Sequence, residues 1–220
     1  MANLHGEHFQ PQVADSLVRS VESYEELYER SIRENDAFWG EMGRELLTWT
    51  HEFKQVNDTD FDYGMIAWFL DGKLNACHNC VDRHVPERGD QVAIIWEADE
   101  PGEGRSITYR ELQREVSRLA NVLRHNGVRR GDRVAIYMPM IPEAAFAMLA
   151  CARIGAVHSV VFAGFSAEAL RDRINDATCV AVITADEGVR GRRVIPLKRT
   201  VDEAVMACPS VQHVFVAERT

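Results

Sequence analysis

Apolar residues form a regular alternation of strand-like and helix-like segments from about residue 92 onward. Short apolar runs at residues 92–96, 134–137, 157–162, 180–184 and 211–216 have the length and composition of buried strands. Amphipathic segments of helical period separate most of these runs. Such an alternation predicts right-handed crossovers and a largely parallel α/β sheet with flanking helices.

Capping residues mark where the intervening helices begin and end. Thr108 and Glu111 form a capping box that begins a helix, and Gly127 is placed to end that helix. Pro142 stands at the first position of a helix that runs to Gly155. The buried stripe of the helix after Thr108 is predicted to contain Leu112, Val116, Leu119, Ala120 and Leu123. Two further helices are predicted, one capped by Ser166 and running through Ile174, the other around residues 201–208.

The first part of the chain is less regular. Residues 23–33 predict a helix with Ser23 as its N-cap and an apolar stripe that includes Tyr24, Tyr28 and Ile32. The aromatic residues after it follow no clean period, which favours an extension that packs on a larger body. We therefore predict two parts, an irregular and helical N-terminal extension at residues 1–85 and an α/β part at residues 86–220.

The charge distribution restricts the possible partners. The formal net charge is −9, and residues 1–60 alone carry 13 acidic against 5 basic side chains. Such acidity argues against a nucleic-acid partner, which would need a basic domain. The longest apolar run, residues 144–151, is far too short to span a bilayer, and no secretory signal is visible. Five cysteines without a regular framework indicate a reducing compartment, so the predicted location is the cytoplasm, without membrane contact.

Several local motifs are weaker than they first look. Cys77, Cys80 and His84 are close in sequence, but no second ligand pair follows, and we predict no metal site. His158 lies in an apolar run and is predicted to be a packed core histidine. The glycines and arginines at residues 127–131 match neither a P-loop nor a dinucleotide fingerprint. No side-chain set predicts a catalytic residue.

A basic stretch follows the run at residues 180–184. Residues 190–199 contain five positive side chains and no negative one, and Gly191 allows close backbone approach. Ligands of parallel sheets bind beyond the carboxyl ends of the strands, where this stretch begins. It is therefore either a phosphate or carboxylate site or a solvated basic face.

Several segments together resemble AMP-forming acetyl-CoA synthetases. They are residues 79–84 (NCVDRH), 108–112 (TYREL), 137–143 (YMPMIPE), 150–158 (ACARIGAVH), 161–166 (VFAGFS) and 184–190 (TADEGVR). The aromatic N-terminal region, including Phe38 and Trp39, is also similar, so the resemblance extends over residues of about 20 to 218.

The resemblance implies an adenylate-forming ligase. Members of that family join acetate to ATP, release pyrophosphate, and transfer the acetyl group to coenzyme A with formation of AMP; ATP and Mg²⁺ serve the complete enzyme. The family's phosphate loop and the lysine of its C-terminal lid domain have no counterpart in these residues. We therefore expect an N-terminal fragment of the large domain, with no lid, no cofactor of its own and no ligase activity by itself.

The resemblance also assigns part of a coenzyme A site. Arg190 and Arg193 would pair with the 3′-phosphate, and Phe162 would stack on the adenine. Gly191, Arg192, Ala163 and Gly164 complete the implied set. Arg192 and Ala163 depart from the common family pattern, and Arg192 has no assigned role.

Two other functions fit the same residues. A propionyl-CoA or other short-chain acyl-CoA ligase would differ in acyl-pocket side chains outside this sequence. A module of another class would use the sheet to bind a nucleotide, or serve as a scaffold, without chemistry.

Overall fold

The computed structural model describes residue 18 and residues 20–100, 102–191 and 193–219, which form two compact units divided between Leu74 and Asn75. The predicted boundary at residue 85 stays a prediction. Among the described residues, none of the helices combines the length and the apolar character needed to cross a bilayer.

The first unit combines two helices with a small hairpin. Its elements are α1 (Val21–Arg33), α2 (Asn35–Leu46), β1 (Gln55–Asn57) and β2 (Trp68–Leu70). The predicted first helix is present, but the prediction of its cap was wrong. Ser20 is the N-cap and Ser23 is the N3 residue, because the two serines satisfy each other's backbone N–H groups in a capping box. The three stripe residues Tyr24, Tyr28 and Ile32 are more than half exposed.

An aromatic cluster stabilises this first unit. The ring centroid of Phe53 lies 5.2 Å from Trp49 and 4.9 Å from Phe69. The indole Nε1 of Trp49 donates a hydrogen bond of 2.7 Å to the carbonyl oxygen of Gly43. The helix α2 and the β1–β2 hairpin therefore pack together around these aromatic side chains.

The second unit contains the regular α/β pattern. Its helices are α3 (Ala76–Cys80), α4 (Val85–Arg88), α5 (Tyr109–His125), α6 (Pro142–Ile154), α7 (Ala167–Ala177) and α8 (Leu197–Val205). Its strands are β3 (Val92–Trp96), β4 (Arg105–Thr108), β5 (Arg133–Tyr137), β6 (Val157–Val160), β7 (Ala181–Ala185), β8 (Gly188–Arg190), β9 (Arg193–Ile195) and β10 (His213–Ala217). A 3₁₀ turn, Asp82–His84, connects α3 to α4.

The main sheet has four parallel strands in the order β10-β7-β5-β6. The predicted α/β fold with a parallel sheet and flanking helices is therefore confirmed. The connection from β5 to β6 moves in one direction across the sheet, and the connections from β6 to β7 and from β7 to β10 move in the other. Right-handed crossovers therefore place α6 on one face and α7 and α8 on the opposite face. In agreement, α5 packs on α6 and α7 packs on α8.

Two pairs of strands among the described residues of the second unit lie outside the main sheet. β3 and β4 form a separate antiparallel pair, so the strand predicted at residues 92–96 is present but is not part of the parallel sheet. β8 and β9 form an antiparallel hairpin within the basic stretch, which the sequence predicted as a loop.

The predicted caps of the later helices are confirmed in detail. Thr108 and Glu111 make the reciprocal capping box, Pro142 is the first residue of α6, and Ser166 caps α7. Gly155 ends α6 with φ of +75°, a conformation that glycine adopts without strain. The helix predicted around residues 201–208 begins earlier, at Leu197.

The prediction for His158 was wrong. β6 forms the edge of the sheet, and three of its four residues, including His158, are exposed. An apolar run does not distinguish an edge strand from a central one, since both use β-branched residues.

Candidate functional site

A cleft of about 360 Å³ opens at the carboxyl ends of three neighbouring strands of the main sheet. Residues 138–140 follow β5, residues 162–164 follow β6, and Gly188 to Arg190 follow β7. The crossover direction reverses between β5 and β7. The cleft therefore lies at the topological switch point, which is where open α/β sheets bind ligands.

The wall after β6 is a turn that presents an aromatic ring. β6 ends at Val160, two residues before the predicted end, so Phe162 lies in the turn and is 60% exposed. A Cβ atom on Gly164 would lie 2.4 Å from a ring carbon of Phe162. Glycine at this position therefore permits the ring to lie against the backbone.

A buried tyrosine anchors the same turn to the sheet. The Tyr137 hydroxyl donates a hydrogen bond of 2.7 Å to the carbonyl oxygen of Phe165. Tyr137 ends β5 and is only 1% exposed. The position of the turn is thus fixed by a central strand.

The opposite wall is the hairpin of β8 and β9. Gly191 follows β8 with φ of +56°, a conformation that glycine tolerates best. Arg190 and Arg193 are directly opposite each other in the ladder, so their side chains share one face of the hairpin. Both residues are exposed.

An aspartate holds the base of this hairpin. The Asp186 carboxylate accepts hydrogen bonds from the backbone N–H groups of Glu187 at 2.8 Å and Arg219 at 2.9 Å. The N–H of Lys198, after the hairpin, donates to the Asp186 carbonyl oxygen. The entry and the exit of the hairpin are therefore tied to one residue.

The positive side chains of the basic stretch fall into two groups. On α8, Lys198 pairs with Asp202 at 2.6 Å and Arg199 pairs with Glu203 at 3.5 Å. Neither Arg190 nor Arg193 has an ion pair with a carboxylate in the part of the chain that the structure describes. The free positive charge is therefore on the hairpin.

The carboxylate that lines the cleft already has a partner. Asp99 lines the cleft, and its Oδ2 lies 2.6 Å from Nη2 of Arg219. The cleft therefore combines the exposed ring of Phe162, apolar lining residues such as Met138 and Pro139, and the guanidinium of Arg190, which has no ion pair among the described residues.

Most of the predicted site residues converge. Phe162, Ala163, Gly164 and Arg190 line the cleft together. Gly191 and Arg193 are on the hairpin but do not line the cleft, and Arg192 lies outside the described residues.

The structure adds lining residues that the sequence did not predict. Met138, Pro139 and Met140 lie directly after β5, and the rule that ligands bind beyond strand ends could have identified them. Asp99 comes from the β3–β4 connection, and no signal in the sequence linked that connection to the cleft.

The short helix α3 does not assemble a metal site. Cys77 is buried whereas Cys80 is exposed. Within the described ranges, no three His, Cys, Asp or Glu side chains converge as ligands of an ion would.

The chain belongs to the family of AMP-binding enzymes, whose model matches residues 81–219. Residues 24–80 match a second family model, described as the acetyl-coenzyme A synthetase N-terminus. The resemblance predicted from the sequence is thereby confirmed.

Comparisons with individual proteins agree. The chain is 57% identical to acetyl-coenzyme A synthetase 2 of Pseudomonas aeruginosa over 90% of its own length. It is 56% identical to acetyl-coenzyme A synthetase of Penicillium chrysogenum over 92%. The solved acetoacetyl-CoA synthetase of Streptomyces lividans is 31% identical and superposes with a TM-score of 0.79 over 88% of this chain. The chain spans 30–31% of the length of these proteins.

Proposed function

We propose that this chain contributes to an AMP-forming acetate–CoA ligase and that its cleft binds the nucleotide end of coenzyme A. The reaction joins acetate, ATP and coenzyme A to give acetyl-CoA, AMP and pyrophosphate. The two acetyl-coenzyme A synthetases described above are 56–57% identical to the chain, against 31% for the acetoacetyl-CoA enzyme, which supports acetate as the acyl substrate.

The roles of the residues follow from their chemistry. The exposed ring of Phe162 offers a face on which adenine stacks, with Ala163 and Gly164 leaving room beside it. Arg190 and Arg193 hold the 3′-phosphate, because guanidinium forks match phosphate oxygens. Gly191 gives the turn its positive φ. Arg192 is the next residue in the sequence and keeps no assigned role.

One observation carries this proposal: two like charges face each other across the hairpin ladder. Like charges directly opposite each other in a sheet are unfavourable. Neither arginine forms an ion pair with a carboxylate of the described residues. A dianionic phosphate between them removes that repulsion. The repulsion between the two arginines is therefore lower with a phosphate bound than without one.

The other participants are assigned only at the level of the whole enzyme. ATP and acetate are the further substrates, and the cytoplasm is the proposed location. The described residues offer no cluster of ligands that fits Mg²⁺, so no step is assigned to that ion here. No residue of this chain is proposed to be catalytic.

A double variant tests the phosphate site in the whole enzyme. Replacement of Arg190 and Arg193 by alanine should raise KM for coenzyme A, because each lost charge-assisted contact costs about 1.5–3 kcal/mol of binding free energy. Acetate-dependent ATP–pyrophosphate exchange should stay nearly unchanged. The variant should also discriminate less than the parent between coenzyme A and dephospho-coenzyme A, which lacks the 3′-phosphate.

The matched control is K198A/R199A, which removes two positive charges of the same stretch that are already paired on α8. It should behave like the parent. Unchanged discrimination in R190A/R193A, or an equal loss of exchange activity, would contradict the assignment.

A further inference from the structure

A second cavity, of about 560 Å³, lies at the opposite end of the main sheet. It is open to solvent and is bordered by α5, the turn that precedes β5 and the C-terminal end of α6. Its volume is within the usual range of small-molecule sites. The polar lining residues are Ser117, Asn121, Arg124, Arg129, Arg130 and Arg153.

The four arginines differ in their partners. Arg153 pairs with Asp82 at 2.7 Å. Arg124, Arg129 and Arg130 have no ion pair with any carboxylate in the described ranges. The nearby Asp132 carboxylate is engaged by the backbone N–H of Arg129 at 2.7 Å.

Helix dipoles offset part of the positive charge of these arginines. Arg124 and Arg153 are in the last turns of α5 and α6, where positive side chains offset roughly half a negative charge per helix end. One guanidinium nitrogen of Arg129 donates to the Arg124 carbonyl oxygen at 2.9 Å and serves the same purpose. Even with Asp82 and Asp132 counted, a surplus of about one positive charge remains.

Arg130 has no such structural duty. Its aliphatic stem lies on Gly155, where an added Cβ would be 2.9 Å from Cγ of Arg130. The missing side chain of Gly155 therefore makes room for this arginine at the cavity wall.

Polar side chains of α5 line the same cavity. Ser117 and Asn121 offer further polar groups from α5.

We infer that this arginine pocket binds a small molecule with two or more phosphate groups, at a site distinct from the coenzyme A cleft. Guanidinium groups select phosphate oxygens over neutral ligands. Among the described residues, none of those that line the cavity is aromatic, so recognition depends on the phosphates and not on a stacked base. The inference does not depend on the proposed function, because the two cavities lie at opposite ends of the sheet and share no lining residue.

The test uses inorganic tripolyphosphate as the probe and the full 220-residue chain carrying R190Q/R193Q, which removes the two arginines that the proposed function assigns to the 3′-phosphate of coenzyme A. Isothermal titration calorimetry at low ionic strength should show one site that weakens as salt is added. R124Q and R130Q should each weaken binding by about tenfold, and the double variant by about a hundredfold.

The control is R114Q/R118Q, which removes two arginines of α5 that pair with Glu115 and do not line the cavity. Thermal melts check that each variant folds. If the double variant does not fold, the single variants R124Q and R130Q test the inference. Absence of tripolyphosphate binding to the R190Q/R193Q chain would overturn the inference, and so would equal weakening by the control.

Discussion

At the scale of single residues, the partners of a side chain decide its role more than its charge does. Lys198 and Arg193 belong to the same basic stretch, but Lys198 is neutralised one helical turn away by Asp202, whereas Arg193 faces another arginine. The sequence predicted the stretch as a whole and selected Arg190 and Arg193 through the resemblance. It could not show which positive charges were already paired, because those partners depend on where α8 begins.

A carboxylate at the start of α5 gives a prediction about pH. Hydrogen bonds from the backbone N–H and hydroxyl of Thr108 lower the pKa of Glu111 below its usual 4.5. Because the folded pKa is the lower one, this stabilisation is complete above the ordinary pKa and is lost as the pH falls through the folded value. In E111Q, which keeps an acceptor, the free energy of unfolding should therefore fall less steeply between about pH 5 and pH 3.

Urea unfolding at several pH values measures this slope. The exposed Glu103 in the β3–β4 connection provides the matched control, and E103Q should follow the parent. A slope in E111Q equal to that of the parent would show that Glu111 does not contribute.

At the scale of elements, the sequence predicted what is encoded locally. The capping box at Thr108, the first-turn Pro142 and the terminal Gly155 each satisfy backbone groups within a few residues, so their signals are readable without the fold. The pairing partner of a strand is not local. β3 and β6 have similar apolar runs, yet one belongs to a separate hairpin and the other to the edge of the main sheet.

The link between β5 and the turn after β6 gives a prediction at this scale. Y137F removes the hydroxyl that donates to Phe165 and leaves a carbonyl oxygen without this partner. The free energy of unfolding should fall by about 1 kcal/mol. Affinity for coenzyme A should fall as well, because the turn that carries Phe162 loses its anchor.

Chemical denaturation and coenzyme A titration of the same variant separate the two effects. Tyr109 supplies the control, since its hydroxyl has no hydrogen bond to any described residue. Y109F should change neither quantity measurably. A loss of stability in Y137F with unchanged affinity would mean that the turn is held by other contacts.

At the scale of the whole molecule, the core of the second unit protects nearly all of the thiols. Cys77, Cys151, Cys179 and Cys208 are buried, and only Cys80 is exposed. Burial raises the pKa of each of the four buried thiols, that of Cys151 to about 12. At pH 8 only about one Cys151 in ten thousand is then the reactive thiolate.

We therefore expect one fast-reacting thiol in the native chain and five after unfolding in guanidinium chloride. Titration with a disulfide reagent at pH 8 measures both numbers. C80S should remove the fast phase and leave the slow one unchanged. Two or more fast thiols in the native parent would show that the core opens more readily than its packing indicates.

The place of the β8–β9 hairpin in the chain has a consequence for how the molecule can vary. The hairpin interrupts the crossover from β7 to β10, and the parallel register of those two strands does not involve it. A crossover only has to return the chain to the same end of the sheet, so the pairing of β7 with β10 does not restrict the length or the tip of the hairpin. Under the proposed function, exchange of a few residues at this tip should therefore change ligand preference while the parallel sheet keeps its architecture.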